Sequence, residues 1–293
     1  MAAVVHTAKA DGQGGTAPDP DGPPASTAEA QGGGRELTLT FERTVAEGEH
    51  RLTRTWPGLL ATGAVGGIDV GIGVLGLLLV KEETGSPLLA ALAFGIGFMA
   101  LTLAQSELFT ENFLVPVAAV AARRAPVMKL LRLWFGTALM NLVGGWIVTG
   151  LIVAGLPKVR PTAVEIATEY AGFPAGQAFA LAILGGLVIT LMTWMERATE
   201  SVPAKIAAAF AAAFLLVAGS LNHAIVVSLL MFAAFHAGAP FGYLHWLVDT
   251  LLATAGNIIG GLGFVTVLRL VQVGHERIEQ VREEGTAPEP LRA

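Results

Sequence analysis

Cysteine is absent from the 293-residue chain, which excludes disulfides, thiolate metal sites and cysteine nucleophiles. Charge is scarce as well. Asp, Glu, Lys and Arg make up 14% of the residues, against about 25% in a soluble domain. What charge there is sums to −5 and offers no basic surface for nucleic acid. The histidines are scattered, with no HExxH or similar ligand spacing, so no metal site is expected. No GxSxG marks a serine hydrolase, and neither an enzyme nor a cofactor is expected. The first 35 residues lack the apolar core of a signal peptide. Their Gly, Pro, Ala and Asp content reads as a disordered tail rather than a cleaved leader.

Apolar residues fill the space the charges leave, at 53% of the chain and a mean hydropathy of +0.63. About 20 consecutive apolar residues suffice to cross a bilayer. Six such spans are expected, at Pro57–Val80, Leu88–Ala121, Leu133–Gly155, Gly176–Met195, Ile206–His236 and His245–Val271. The fold class is therefore an all-α membrane protein. Residues 36–56, polar with scattered Leu, Phe and Val, are expected to form a cytoplasmic interfacial helix. The transmembrane domain is expected over 57–271 and a cytoplasmic tail over 272–293. Arg43, Arg51, Arg54, Arg123, Arg124, Lys129, Arg132, Arg197, Lys205, Arg269 and Arg277 flank one set of span ends, and Lys81, Lys158 and Arg160 the other. Lys and Arg concentrate on the cytoplasmic side, so both termini are expected there.

The second and fifth spans are too long for one crossing, and each has a polar cluster at its middle. The first cluster reads Gln105-Ser106-Glu107-Leu108-Phe109-Thr110-Glu111-Asn112, and the second Gly219-Ser220-Leu221-Asn222-His223. Helices broken at membrane depth are tolerated where they line a cavity or lie inside protein. A repeat runs through these spans. Asn141-Leu-Val-Gly144-Gly145 returns 116 residues later as Asn257-Ile-Ile-Gly260-Gly261. The same offset sets Phe94 on Phe210, Phe98 on Phe214, Ser106 on Asn222 and Glu107 on His223. Two halves of three spans each must point in opposite directions, giving an inverted repeat with a permeation site at its centre. Glycines in spans one, three and six read as close-packing positions.

An ionisable side chain inside a membrane is costly and marks a functional site by default. His223 could hand a proton to a weak-acid anion or hold that anion by a charge-assisted hydrogen bond. It could equally be a neutral ring bonded to Thr110 or to a backbone carbonyl. Thr110 reads as pore-facing, with Asn222 beside His223. Glu107 and Asn112 either face the path or hold the loop's shape. Asp69, mid-span in Gly66-Gly67-Ile68-Asp69-Val70-Gly71, could be a counter-ion for His223, a protonated acid or a helix-packing group. Phe94, Phe98, Phe109, Phe210 and Phe214 could form apolar constrictions, which exclude ions far more than neutral molecules, or could simply pack. His236, His245 and Asp249 read as solvated surface groups.

Leu108-Phe109-Thr110, Asn222-His223 and Gly256-Asn257-Ile-Ile-Gly260-Gly261 together resemble the formate/nitrite transporter family over about residues 57–271. The resemblance implies an aquaporin-like fold and a homopentamer with one pore per protomer in a bacterial inner membrane. It also implies passage of small monovalent weak-acid anions, with their protons. Thr110 and His223 would form the polar centre and Phe109 part of a constriction. Two features depart from the family. No lysine lies between Pro161 and Met195, and Gly185-Gly186 stands where an asparagine would be. Lys158 or Arg160 could supply the positive vestibule instead. With Asp69, Glu107 and Glu111 on the path, the same pore could carry a cation or a small neutral solute. A membrane-embedded enzyme or scaffold is the remaining reading.

Overall fold

The computed structural model describes residues 25–284, with side chains from 34 to 283, so residues 1–24 of the expected tail lie outside the described residues. By contacts the chain divides into residues 1–36 and residues 37–293. The first unit contains the start of helix α1 (Ala25–Thr53). The helix thus begins eleven residues ahead of the boundary expected at 36.

Within the second unit, α1 does not lie free at an interface. Phe41, Val45 and Leu52 recur at helical spacing and bury fully against Ala118, Ala119, Leu133 and Val281. Gly48 sits on the same face, where a Cβ would stand 2.3 Å from the Val115 carbonyl oxygen.

The helices that follow are α2 (Trp56–Thr84), α3 (Pro87–Ala104), a 3-10 turn over Phe109–Phe113, α4 (Val115–Ala121) and α5 (Val127–Gly155). After them come α6 (Arg160–Ala171), α7 (Ala175–Arg197), α8 (Val202–Ala218), α9 (Ala224–Ala237) and α10 (Tyr243–Ile258). A π-helical stretch, Ile259–Thr266, joins α10 to α11 (Val267–Val273), and α12 (His275–Glu284) follows. Helices α2, α3, α5, α7 and the run Tyr243–Val273 are long and apolar enough to cross a membrane, while α8 and α9 are shorter apolar pieces. The α6, α12 and π-helical segments were not expected from sequence. α6 is short and polar, and α12 falls in the expected cytoplasmic tail.

Helix α2 packs on α5 and α3, α3 on α8, and α7 on α10 and α8. Glycine permits the closest approaches. A Cβ on Gly67 would stand 2.1 Å from the Asn141 carbonyl oxygen, and one on Gly186 2.2 Å from that of Asn257.

Both polar clusters are breaks, and their backbones are built alike. α3 ends at Gln105, which turns left-handed (φ 53°), and the corresponding residue after α8 is Ser220 (φ 46°). Asn141 Nδ2 donates to the Glu107 carbonyl at 2.8 Å, and its Oδ1 accepts from the Phe109 N–H at 2.8 Å. Asn257 Nδ2 donates to the Asn222 carbonyl at 3.0 Å, and its Oδ1 accepts from the Ala224 N–H at 2.9 Å. The second amide proton reaches Gly63 O in one case and Ala182 O in the other, both at 2.7 Å. A buried broken helix must satisfy its freed backbone groups, and here one carboxamide does so on each side.

These partners correct the alignment within the expected repeat. The asparagines are 116 residues apart, but Gln105 and Ser220, Glu107 and Asn222, and Phe109 and Ala224 are each 115 apart. One residue swings a helical side chain by about 100°. The buried positions Phe94, Gly97, Phe98 and Leu101 of α3 therefore correspond to Ala209, Ala212, Ala213 and Leu216 of α8. Phe210 and Phe214 fall off that face and are partly exposed, with the Phe210 ring lying over Gly95. Likewise His223 corresponds to Leu108 rather than Glu107.

Candidate functional site

His223 and Thr110 meet where the two breaks face each other. Both are fully buried, and Thr110 Oγ1 lies 2.6 Å from His223 Nε2. The histidine is the N-cap of α9, and its Nδ1 accepts the Val226 N–H at 3.2 Å. A neutral imidazole carries one proton. With Nδ1 accepting, that proton sits on Nε2 and points at Thr110 Oγ1, leaving the threonine O–H to donate elsewhere. Protonating Nδ1 would break the cap. The ring is thus held as a fixed neutral donor, in the arrangement the sequence allowed as a histidine bonded to Thr110.

Asn222 turns away from this pair, its Nδ2 donating to Ala178 O at 3.2 Å. Phe109 is buried and stacks edge-on with Phe113 and Trp134, at 5.1 and 6.4 Å between centroids. Trp134 donates from its ring nitrogen to Asn112 O at 2.8 Å, which fixes the 3-10 turn.

Two small cavities lie at opposite ends of α3, the first mostly apolar and the second polar. One, beside α6, holds about 90 Å³ and is lined by Lys81, Ala90, Glu165, Glu169, Tyr170 and Ser220 among others. The second, beside α1, holds about 150 Å³ and is lined by Arg51, Leu101, Ser106, Glu111, Glu196 and Arg197 among others. Helix α3 runs from one to the other along a single face. Ala90 lines the first and Leu101 the second, and between them stand Phe94 and Phe98, fully buried with ring centroids 5.5 Å apart. Phe210 and Phe214 line neither. Of the basic residues on the α6 side, Lys81 lines the cavity, its Nζ 3.9 Å from Glu165. Lys158 pairs with Glu83 on the surface and Arg160 with Val153 O.

The acidic residues of the first break are held by the N-terminal helix. Arg54 pairs with Glu107. Arg51 reaches Glu47 at 2.9 Å, Glu107 at 3.6 Å, Glu111 at 3.4 Å and the Asn112 side-chain oxygen at 3.1 Å. Burial alone would lower the Arg51 pKa, but the carboxylates around it raise it further still. Glu107 is fully buried, so it holds the loop's shape. Asp69 accepts a hydrogen bond from Ser106 at 2.6 Å and does not pair with His223. With its carboxylates engaged in this way, the cation-carrying alternative loses its support. Sequence reading missed the reach of Arg51 and Arg54, which had been assigned only to the positive flank. It also missed the clamping role of Asn141 and Asn257. Their signal was present, since a carboxamide inside an apolar helix needs partners.

His236 and His245 stay near the helix ends as expected, bonded to Trp146 O at 3.2 Å and to Asp249 at 2.9 Å respectively.

Residues 38–271 match the formate/nitrite transporter family. Inner membrane protein YfdC of Escherichia coli (strain K12) is 28% identical over 258 residues, covering 81% of this chain and 79% of that protein. The formate channel BtFdhC of Bacillus thuringiensis is 26% identical, covering 76% of this chain and 90% of its own. An FNT family ion channel superposes with a TM-score of 0.72 at 21% identity, covering 78% of this chain and 96% of that one. A pentameric formate channel with formate bound gives a TM-score of 0.62 at 21% identity, over 73% and 95% of the two chains. These structures share the all-helical channel fold, and BtFdhC is itself named as a formate channel. The chain is an integral membrane protein that belongs to the formate/nitrite transporter family.

Proposed function

We propose that this protein is a channel or proton-coupled transporter for small monovalent weak-acid anions such as formate or nitrite. Each protomer crosses the membrane six times in two inverted halves, α2 to α5 and α7 to α11. The protomers assemble as a homopentamer in a bacterial inner membrane, with both termini cytoplasmic. The observation that carries this reading is the Thr110–His223 contact. In this reading the pair is the one polar point of an otherwise apolar passage.

The Thr110 O–H, with its oxygen occupied by the imidazole N–H, is free to donate to a passing carboxylate or nitrite oxygen. Phe94, Phe98 and Leu101 on one side and Leu216 on the other make the passage costly for a bare ion. The substrate therefore crosses protonated, and flux carries a proton with it. The match to a formate channel family supports formate as the first substrate to test.

Proteoliposomes containing the full chain are expected to acidify inside on addition of sodium formate or sodium nitrite. Thr110→Val, which keeps the shape and removes the donor, should cut that flux at least tenfold, about 1.4 kcal/mol. His223→Phe, which removes the N–H aimed at Thr110 Oγ1, should lower it as well. Equal flux in protein-free liposomes would refute the reading.

A further inference from the structure

A groove of about 410 Å³ runs along the outer surface where α7 meets the π-helical stretch and α11. Leu187 and Leu191 line it from α7, and Phe264 and Leu268 from the other side. Leu191, Phe264 and Leu268 are exposed, so the described residues leave the groove open. Leu187, Leu191 and Trp194 follow one another at helical spacing over about 10 Å. That length fits within one leaflet, half of a hydrocarbon core about 30 Å thick.

The groove ends on a cation. Arg269 and Gln272 complete the lining, and the Arg269 guanidinium lies over the Trp194 ring, 4.9 Å from its centroid. Arg269 Nη1 donates to Gln272 Oε1 at 2.8 Å. Among the described residues no carboxylate pairs with Arg269. Stacking holds the guanidinium flat and leaves its other N–H groups, and the amide of Gln272, for an acceptor from outside.

Whatever covers this groove must be apolar along Leu191 and Leu268 and anionic at Arg269. A second copy of the chain brings apolar side chains but no spare acid from its long apolar helices. Their carboxylates are Asp69, Glu82, Glu83, Glu196 and Asp249. Each already has a partner, in Ser106, Thr162, Lys158, Thr102 and His245 respectively. A phospholipid brings an acyl chain and a phosphate together. Acyl chains gain little by exchanging one apolar neighbour for another, so the headgroup decides which lipid stays. A zwitterionic headgroup would hold its own cation near Arg269, and an anionic one would not. Basic pockets between membrane helices on the cytoplasmic side select such lipids, and Arg269 belongs to the basic set expected on that side.

We propose that the groove between α7 and α11 binds one anionic phospholipid of the cytoplasmic leaflet, its phosphate on Arg269 and Gln272 and one acyl chain along Leu191, Phe264 and Leu268. The leaflet follows from the orientation given above. The site does not depend on which solute the passage carries.

Native mass spectrometry of the purified full chain, titrated with phosphatidylglycerol or with phosphatidylcholine of the same acyl chains, counts the lipid retained per protomer. About one phosphatidylglycerol is expected, held about fivefold more tightly than phosphatidylcholine, the increment of one basic residue at an anionic surface. Arg269→Gln should bring phosphatidylglycerol down to the level of phosphatidylcholine and leave formate flux unchanged. Leu268→Trp, which fills the groove, should lower retention of both lipids, and it decides the matter where Arg269→Gln does not assemble. Equal retention of the two lipids by the wild type would overturn the proposal. So would an undiminished preference in Arg269→Gln or undiminished retention in Leu268→Trp. Loss of the oligomer in either variant with lipid retention unchanged would also overturn it, and would make the groove a contact between copies of the chain. Lipid selectivity in a protein that carries neither formate nor nitrite would remove the channel reading and leave this site standing.

Discussion

The two helix breaks share a backbone and differ in almost every side chain. At each, a residue turns left-handed, an asparagine from a neighbouring helix takes one N–H and feeds two carbonyls, and a glycine lets that asparagine's helix come close. The first break adds Glu107, Glu111 and Asn112, gathered by Arg51 of α1 and by Arg54 just after it. The second adds His223, whose own ring caps the following helix. Stopping a helix inside the protein thus takes one carboxamide. The ionic network is an addition at the first break, brought there by α1.

That contrast is most easily broken at Arg51. Arg51→Ala would leave Glu107 and Glu111 buried without their shared cation, at a cost of about 3–5 kcal/mol. A large drop in melting temperature and loss of the assembled oligomer are expected by size-exclusion chromatography. The second break offers no single change of that kind. Asn141→Ala and Asn257→Ala come next. Each orphans a buried N–H and a buried carbonyl of its break at about 1 kcal/mol or more apiece, and the two variants should melt at similar temperatures. A wide gap between them would mean that the two clamps are not equivalent.

Gly67→Ala and Gly186→Ala force a methyl onto an asparagine carbonyl and should each cost about 1–3 kcal/mol, again alike. The smallest effect belongs to Glu47. Burial pushes its carboxyl up, but Arg51 more than offsets this and holds it below the usual carboxylate range. Its contribution is therefore complete above the unfolded value and is lost as pH falls through the lower folded one. Glu47→Gln should flatten the acid limb of a thermal-stability profile by less than about 1 kcal/mol.

Much of this was legible because apolar length and polar interruption are local properties. The apolar helices and both breaks follow from runs of sequence, whereas the pairing of Thr110 with His223 as one centre comes from the family resemblance. The repeat was legible in its helices but not in its loops. A gapless offset of 116 carried Phe94 onto Phe210, whereas the hydrogen bonds require 115 at the breaks and put Ala209 there. The side chain on the inner face changes entirely with that one residue. The destination of Arg51 was illegible for a different reason. A basic residue near a membrane end is ordinarily a flank charge, and nothing local says that its helix will fold back onto residues 60 positions away. α6 went unseen because, with two glutamates and an arginine in its sequence, it lacks the apolar run on which span recognition depends.

The asparagine clamps read only main-chain atoms. A loop gripped in that way keeps its course whichever side chains it displays, so its surface chemistry can drift without disturbing the scaffold. Related proteins could then carry acidic, neutral or aromatic groups at the same two places, and the passage would change its customers while the walls stayed where they are.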